Sequence, residues 1–153
     1  MHQRMILTPL GPMLAIEDAG FLIALDFIRE GDIPGGTQDE TPLLLETQRQ
    51  LEQYFLGKRK EFTIPLNPRG TAFQQAVWAR LRAIPYGKTA TYGQLALEVD
   101  RPRASRAVGQ ANHVNPISII IPCHRCVGAN GKLVGYGGGV ARKEALLKLE
   151  QKS

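Results

Sequence analysis

Cysteine is scarce in this chain of 153 residues: there are two, Cys123 and Cys126. Two cysteines cannot make a disulfide framework, and a bridge across so short a loop would staple very little chain. No apolar run approaches the roughly 18 residues that a membrane span requires, and Met1-His2-Gln3-Arg4 lacks the basic-then-apolar order of a signal peptide. These absences predict a cytoplasmic protein whose thiols are chemical rather than structural. The length admits one medium domain or two small ones and excludes separate cofactor and substrate lobes. With 43% hydrophobic and 22% charged residues, there is material for a core and no sign of wholesale disorder.

Acidic residues are scarce in one part only. Residues 1–65 carry six Lys/Arg against ten Asp/Glu, a charge of −4, whereas residues 66–153 carry thirteen against four, a charge of +9. The asymmetry points to a polyanionic partner for the second part, with a merely solubilising basic surface as the alternative.

Turn signals divide the chain. Met5-Ile6-Leu7, Met13-Leu14-Ala15-Ile16 and Phe21 to Phe27 are apolar runs separated by Pro9-Leu10-Gly11-Pro12 and by Glu17-Asp18-Ala19-Gly20, which predicts three strands in hairpin succession. A loop over 31–41 leads to Pro42, where Leu44, Leu45, Gln48, Leu51, Tyr54 and Phe55 predict a helix stopping at Gly57 and lying on the sheet. Pro65, Asn67, Pro68 and Gly70 mark a linker, and the domains are predicted at 1–65 and 66–153. Phe73, Val77, Trp78 and Leu81 then define a helical face. Thr91 caps a short helix to Val99, a turn follows at Asp100-Arg101-Pro102, and a second helix is predicted from about Arg103 to Asn112, together a helix-turn-helix candidate. Ile117-Ser118-Ile119-Ile120-Ile121 reads as a buried strand cut off by Pro122. A Gly-rich loop, 135–139, precedes a last helix from about Ala141 to Gln151.

The densest chemistry is Pro122-Cys123-His124-Arg125-Cys126. Thiolate is the reactive form of cysteine, and cationic neighbours favour it, so Cys123 beside His124 and Arg125 is a candidate nucleophile. Adjacent side chains seldom meet, so His124 is expected to reach the sulfur through a bridging water, with a third group fixing its tautomer. Glu144 is the candidate carboxylate by position near the start of the last helix; spacing alone favours a solvated helix-face glutamate. Arg103 and Arg106 would share one helical face with Tyr92 on the preceding helix, able to meet a phosphate track or a groove. The small Ala104, Ala107, Gly109 and Ala111 keep that helix thin.

Other chemistries lack their parts. Structural zinc takes four ligands, and His2 and His113 supply no matching pair beside Cys123 and Cys126. A dithiol redox motif lacks its preceding βαβ frame. Gly87-Lys88-Thr89 resembles the end of a phosphate loop, but Arg82 stands where the first glycine belongs. Gly135-Tyr136-Gly137-Gly138-Gly139 lacks the last glycine of a dinucleotide fingerprint. No metal and no cofactor are expected.

Several ordered pieces between Gly70 and Glu150 go further: 70–78, Ile84-Pro85-Tyr86-Gly87, Thr91 to Ala96, Arg106-Ala107-Val108-Gly109, Asn115-Pro116, Ile119 to Arg125, Gly135-Tyr136 and Lys143-Glu144. Together they resemble the O6-alkylguanine-DNA alkyltransferases. The resemblance implies an α+β protein: a small ribonuclease H-like N-terminal domain of three antiparallel strands plus helix, then a mostly helical domain with a winged helix-turn-helix-like motif. It implies single-turnover transfer of an alkyl group from O6-alkylguanine in double-stranded DNA, with O4-alkylthymine a second candidate substrate, to Cys123 after minor-groove binding and base flipping. His124 would activate the thiol through water, Glu144 orient His124, and Asn115 act as a hinge ordering the network. Arg106 would fill the gap left by the flipped nucleotide, with Arg103, Ala107 and Gly109 along the DNA and Tyr92 crowding the phosphate. In the pocket, Tyr92 would bond guanine N3, the Cys123 and Cys126 carbonyls the exocyclic amine, and Tyr136 and the Gly137 N–H would meet O6. A monomer with no obligate protein partner is expected.

Three positions depart from that pattern. Cys126 replaces an aliphatic residue, as a packed bystander or a second thiol prone to oxidation; Gly137 and Ser118 bear on the size of alkyl group accepted. The alternatives are a non-catalytic lesion-binding or regulatory DNA-binding protein and a Cys-His acyl transferase or peptidase.

Overall fold

The computed structural model describes residues 1–29, 38–133, 136 and 139–152. They form two compact units, Met1–Pro68 and Arg69–Ser153. The division falls three residues later than the linker composition predicts, because the chain beyond Pro65 still belongs to the first sheet. Leu22 donates its N–H to the Pro65 carbonyl (2.9 Å) and its carbonyl accepts from Asn67 (2.9 Å). The shifted residues carry no charge, so the −4 and +9 halves stand.

In the first unit, β1 (His2–Thr8), β2 (Gly11–Asp18) and β3 (Phe21–Phe27) form an antiparallel sheet in sequence order. The turn between β2 and β3 needs positive φ at Ala19 (52°) and Gly20 (84°), the conformation that a tight hairpin demands. Ile6, Met13, Ala15, Leu22, Leu25 and Phe27 are buried, with Leu44, Leu51 and Tyr54 of helix α1 (Pro42–Phe55). Thr41 caps α1 by accepting from the Leu44 N–H, and Pro42 occupies the first turn, where its missing donor costs nothing. The predicted loop 31–41 lies largely outside the described residues.

The second unit opens on α2 (Ala72–Arg82), whose Thr71 and Gln74 form a reciprocal capping box. Buried Trp78 donates Nε1–H to the Ala111 carbonyl (2.9 Å), fixing α2 against α4 (Ser105–His113). A Cβ at Gly70 would lie 2.4 Å from the Trp78 ring, which explains a glycine where no turn requires one. Helix α3 (Tyr92–Glu98) has a second capping box, Thr91 with Gln94. The short strands β4 (Ala90–Thr91) and β5 (Cys126–Val127) pair in parallel, so the start of α3 is hydrogen-bonded to the chain just after His124 and Arg125. Helix α5 (Val140–Gln151) closes the unit.

Two predicted elements change. The run Ile117–Ile121 is a compact turn rather than a strand: Ile121 N–H returns to the Ile117 carbonyl (3.1 Å), Ile120 N–H to that of Ser118 (2.8 Å), and Ile119 has φ 71°. β-branched residues resist that conformation, so the turn is imposed by its surroundings rather than by local preference. Helix α4 begins at Ser105, because Asp100 takes φ 60° and Ala104 N–H closes onto the Arg101 carbonyl. Arg103 therefore precedes the helix and does not share a helical face with Arg106.

Candidate active site

The side chain of Asn115 imposes the turn at 117–121. Its amide donates to the Ile121 carbonyl (2.9 Å) and the Ile117 carbonyl (3.3 Å), while its oxygen accepts from Ile117 N–H (3.1 Å). One buried amide thus replaces the neighbours a strand would have found. The turn delivers the chain to Pro122 and a 3-10 turn, Cys123–Arg125, closed by Cys126 N–H onto the Cys123 carbonyl. Cys123, His124, Arg125 and Cys126 are all buried.

Glu150, not Glu144, meets His124. The His124 Nε2 lies 2.6 Å from Glu150 Oε2, and Arg125 braces the same carboxylate through Nε (2.8 Å) and Nη2 (3.1 Å). Arg125 Nη1 also donates to the Ile84 carbonyl (2.8 Å), its guanidinium lies 5.6 Å from the Tyr86 ring centre, and Gly87 N–H approaches Glu150 Oε1 (3.4 Å). The segment 84–87 is thereby a clamp on the ion pair. Glu144 points elsewhere: its side chain is half exposed and pairs with Lys148 (3.0 Å) one turn on. Helical geometry gives the reason. Lys143, Leu146 and Glu150 fall at i, i+3 and i+7 on the buried face of α5, whereas Glu144 is turned about 100° from Lys143.

Burial holds the His124 pKa below its usual value, against an opposing pull from Glu150, so the ring is neutral near pH 7. A neutral ring on a carboxylate keeps its proton on Nε2, which leaves Nδ1 as a lone-pair acceptor. Nδ1 has no hydrogen-bond partner among the described residues. Because the unfolded state takes up this proton first, stability falls as pH drops below about 6.5 toward the lower folded-state value. Urea melts at decreasing pH are expected to show this fall, at most about 1.4 kcal/mol per pH unit for the one proton, and His124→Asn is expected to flatten it.

Tyr92 begins α3 and is half-buried; burial first, then the nearby Cys126 and Cys123, push its pKa up to about 12, so it remains a phenol able to donate. Burial likewise pushes the Cys126 thiol up to about 12, despite the Lys143 ammonium nearby. Lys143, a residue to which the sequence alone assigns no role, is buried, donates Nζ–H to the Cys126 carbonyl and sits 5.9 Å from the Tyr92 ring centre. Tyr136 is buried, while Gly137 lies outside the described residues. On α4, Arg106 and Ala107 are exposed and Val108 and Ala111 buried, so one face of the helix packs and the other is exposed. Gly109 faces the Tyr92 ring, where a Cβ would make ordinary contact at 4.0 Å. Among the described residues, no cluster of His, Cys, Asp and Glu could hold a metal, and no helix is long and apolar enough to cross a membrane.

Comparison with known proteins bears on the whole chain. Residues 1–68 match the 6-O-methylguanine DNA methyltransferase ribonuclease-like domain, and residues 72–152 match the DNA binding domain of the same family. The chain belongs to the 6-O-methylguanine DNA methyltransferase family. A methylated-DNA–protein-cysteine methyltransferase of Methanosarcina acetivorans is 46% identical, over 98% of each chain. One from Mycobacterium leprae is 45% identical, over 99% of this chain and 93% of its own. The crystal structure of the Mycobacterium tuberculosis O6-methylguanine methyltransferase superposes with a TM-score of 0.90 at 45% identity, covering 99% of this chain and 93% of that one. The same organism's protein in complex with DNA gives 0.90 at 46%, covering 99% and 94%. In this methyltransferase the α+β fold is therefore as the resemblance implies.

Proposed function

We propose that this methyltransferase repairs DNA by direct reversal, moving the alkyl group of O6-alkylguanine onto Cys123 in a single, irreversible turnover. The observation that carries the proposal is the chain of contacts behind the thiol in a member of this family: a neutral His124 held through Nε2 by Glu150, itself held by Arg125. Nδ1 takes the Cys123 proton through a bridging water, and the charge formed on the ring is balanced by Glu150. The thiolate attacks the sp³ alkyl carbon as the C–O bond breaks. Tyr92, kept a phenol, donates to the departing guanine, so the leaving group is not released as a bare anion. The product is a thioether with no carbonyl for water to attack, so Cys123 is not regenerated.

The O6 substituent is stacked inside a duplex, and an in-line approach requires the base to leave the stack at a cost of a few kcal/mol. Arg106, exposed on α4, fills the gap from the minor groove, with Ala107 and Gly109 on the same helix and Arg103 on the turn before it along the DNA. If that offsets about 2 kcal/mol, Arg106→Ala slows repair of an O6-methylguanine duplex roughly thirtyfold. Reaction with free O6-benzylguanine, which needs no gap filled, should change little. Equal losses in the two assays would refute the finger role, and no transfer from either substrate by the wild-type protein would refute the reading itself. Binding is expected to be salt-sensitive and largely independent of sequence, as phosphate contacts dictate.

A further inference from the structure

The Cys-x-x-Cys spacing is not used by this chemistry, which needs one thiol. Cys126 N–H closes a 3-10 turn onto the Cys123 carbonyl, which brings the two Cα atoms within about 7 Å. Disulfides span Cα separations of about 4.4–6.8 Å, a range that a closed turn with Cys126 as its fourth residue can reach. Both sulfurs are buried, and both act on the same two neighbours: each raises the pKa of Tyr92 and each opposes the lowering at Lys143. Burial keeps Cys126 protonated, so it does not compete for oxidants or alkyl groups in the resting protein.

We propose that Cys126 is a resolving thiol, forming a reversible disulfide with Cys123 when a hydroperoxide oxidises the acceptor before it meets a lesion. The inference rests on the reading of Cys123 as the reactive thiolate. In the first step the Cys123 thiolate attacks the distal peroxide oxygen: an S–O bond forms, the O–O bond breaks, and the hydroperoxide leaves as its alcohol, or water, after taking a proton. In the second the Cys126 sulfur attacks the Cys123 sulfenic acid: the S–S bond forms, the S–O bond breaks, and hydroxide leaves as water with the Cys126 proton. The two thiols are oxidised by two electrons and the hydroperoxide is reduced by two. A dithiol reductant returns both thiols. For a protein spent in one turnover, the device separates loss by oxidation, which is reversible, from loss by repair, which is not.

The test uses the full chain, with hydrogen peroxide in excess over thiol and in the absence of DNA, alkylation of remaining thiols, and trypsin without reductant. Cleavage after Arg106, Arg125 and Lys132 separates the cysteines onto peptides 107–125 and 126–132. The expected result is that these two peptides are disulfide-linked within one molecule, that alkyl transfer is lost, and that dithiothreitol restores it to the untreated level. Cys126→Ser and Cys126→Ala, each compared with its own untreated sample, are expected to accumulate sulfinic acid at Cys123 and to stay inactive after dithiothreitol. Sulfinic acid at Cys123 in the wild type without the linked peptides, or links only between molecules, would overturn the inference. Should the variants fail to fold, the wild-type peptide map decides alone. Linked peptides from a protein whose untreated sample transfers no alkyl group would refute the repair reading and leave the disulfide standing.

Discussion

Glu150→Ala is expected to destabilise the protein by about 3–5 kcal/mol and to reduce alkyl transfer sharply, while Glu144→Ala changes stability by about 0.5 kcal/mol or less. The contrast follows from what each carboxylate leaves behind. Without Glu150, Arg125 keeps a buried guanidinium whose Nε and Nη2 have lost their acceptor, and His124 Nε2 loses the partner that fixes its tautomer. Breaking one side of a buried pair is costly because the remaining charge cannot reach water. Glu144 loses only an exposed pair with Lys148. Glu150→Gln separates the two effects: it retains an acceptor for Arg125, so part of the stability should return, but it removes the charge that balances a protonated His124. Chemical denaturation and single-turnover transfer on the same preparations check both. A Glu144→Ala protein that loses transfer while Glu150→Ala retains it would reverse the assignment.

Asn115→Ala is expected to cost about 2 kcal/mol or more, because it leaves the Ile117 N–H and the Ile121 carbonyl without their partner in a buried turn, at about 1–3 kcal/mol for each group left unsatisfied, while the Ile117 carbonyl keeps only the Ile121 N–H. The turn also holds Ile119 at φ 71°, so releasing it relaxes the backbone that positions Cys123. Asn115→Asp is the sharper variant. It keeps the acceptor for Ile117 N–H but sets a carboxylate oxygen where the amide donated to two carbonyls, so it should not rescue and should be no more stable than Ala. Recovery of wild-type stability by Asp would mean that the donor side of the amide is unimportant. Alkyl transfer is expected to fall with both variants.

How far the site could be read from the sequence varied from residue to residue, and the reasons are physical. The three strands and α1 are legible because hairpin turns and caps are local chemistry, written in Ala19-Gly20, Thr41 and Pro42. Cys123 and His124 are legible because they are neighbours in a motif. Glu150 is not, because helix α5 carries two glutamates and only the buried stripe of Lys143, Leu146 and Glu150 tells them apart; following that stripe by i+3 and i+7 would have found it. Arg125 stands in the motif as a cationic neighbour, yet its work is to hold Glu150 from another element. The run at 117–121 reads as a strand because β-branched residues favour one, and the override comes from a single amide at Asn115. Arg103 falls outside α4 because the turn at Asp100–Ala104 takes up residues that the periodicity had given to the helix.

In the proposed reaction one sulfur accepts the alkyl group and is consumed. Incubating the protein with an excess of duplex DNA carrying O6-[³H-methyl]guanine, followed by trypsin and peptide separation, tests it directly. The label should reach one methyl group per molecule and stop, all of it as S-methylcysteine on peptide 107–125, which contains Cys123, and none should appear with Cys123→Ser. Label on peptide 126–132, continued turnover with no label on protein, or retained transfer by Cys123→Ser would refute Cys123 as the single-use acceptor.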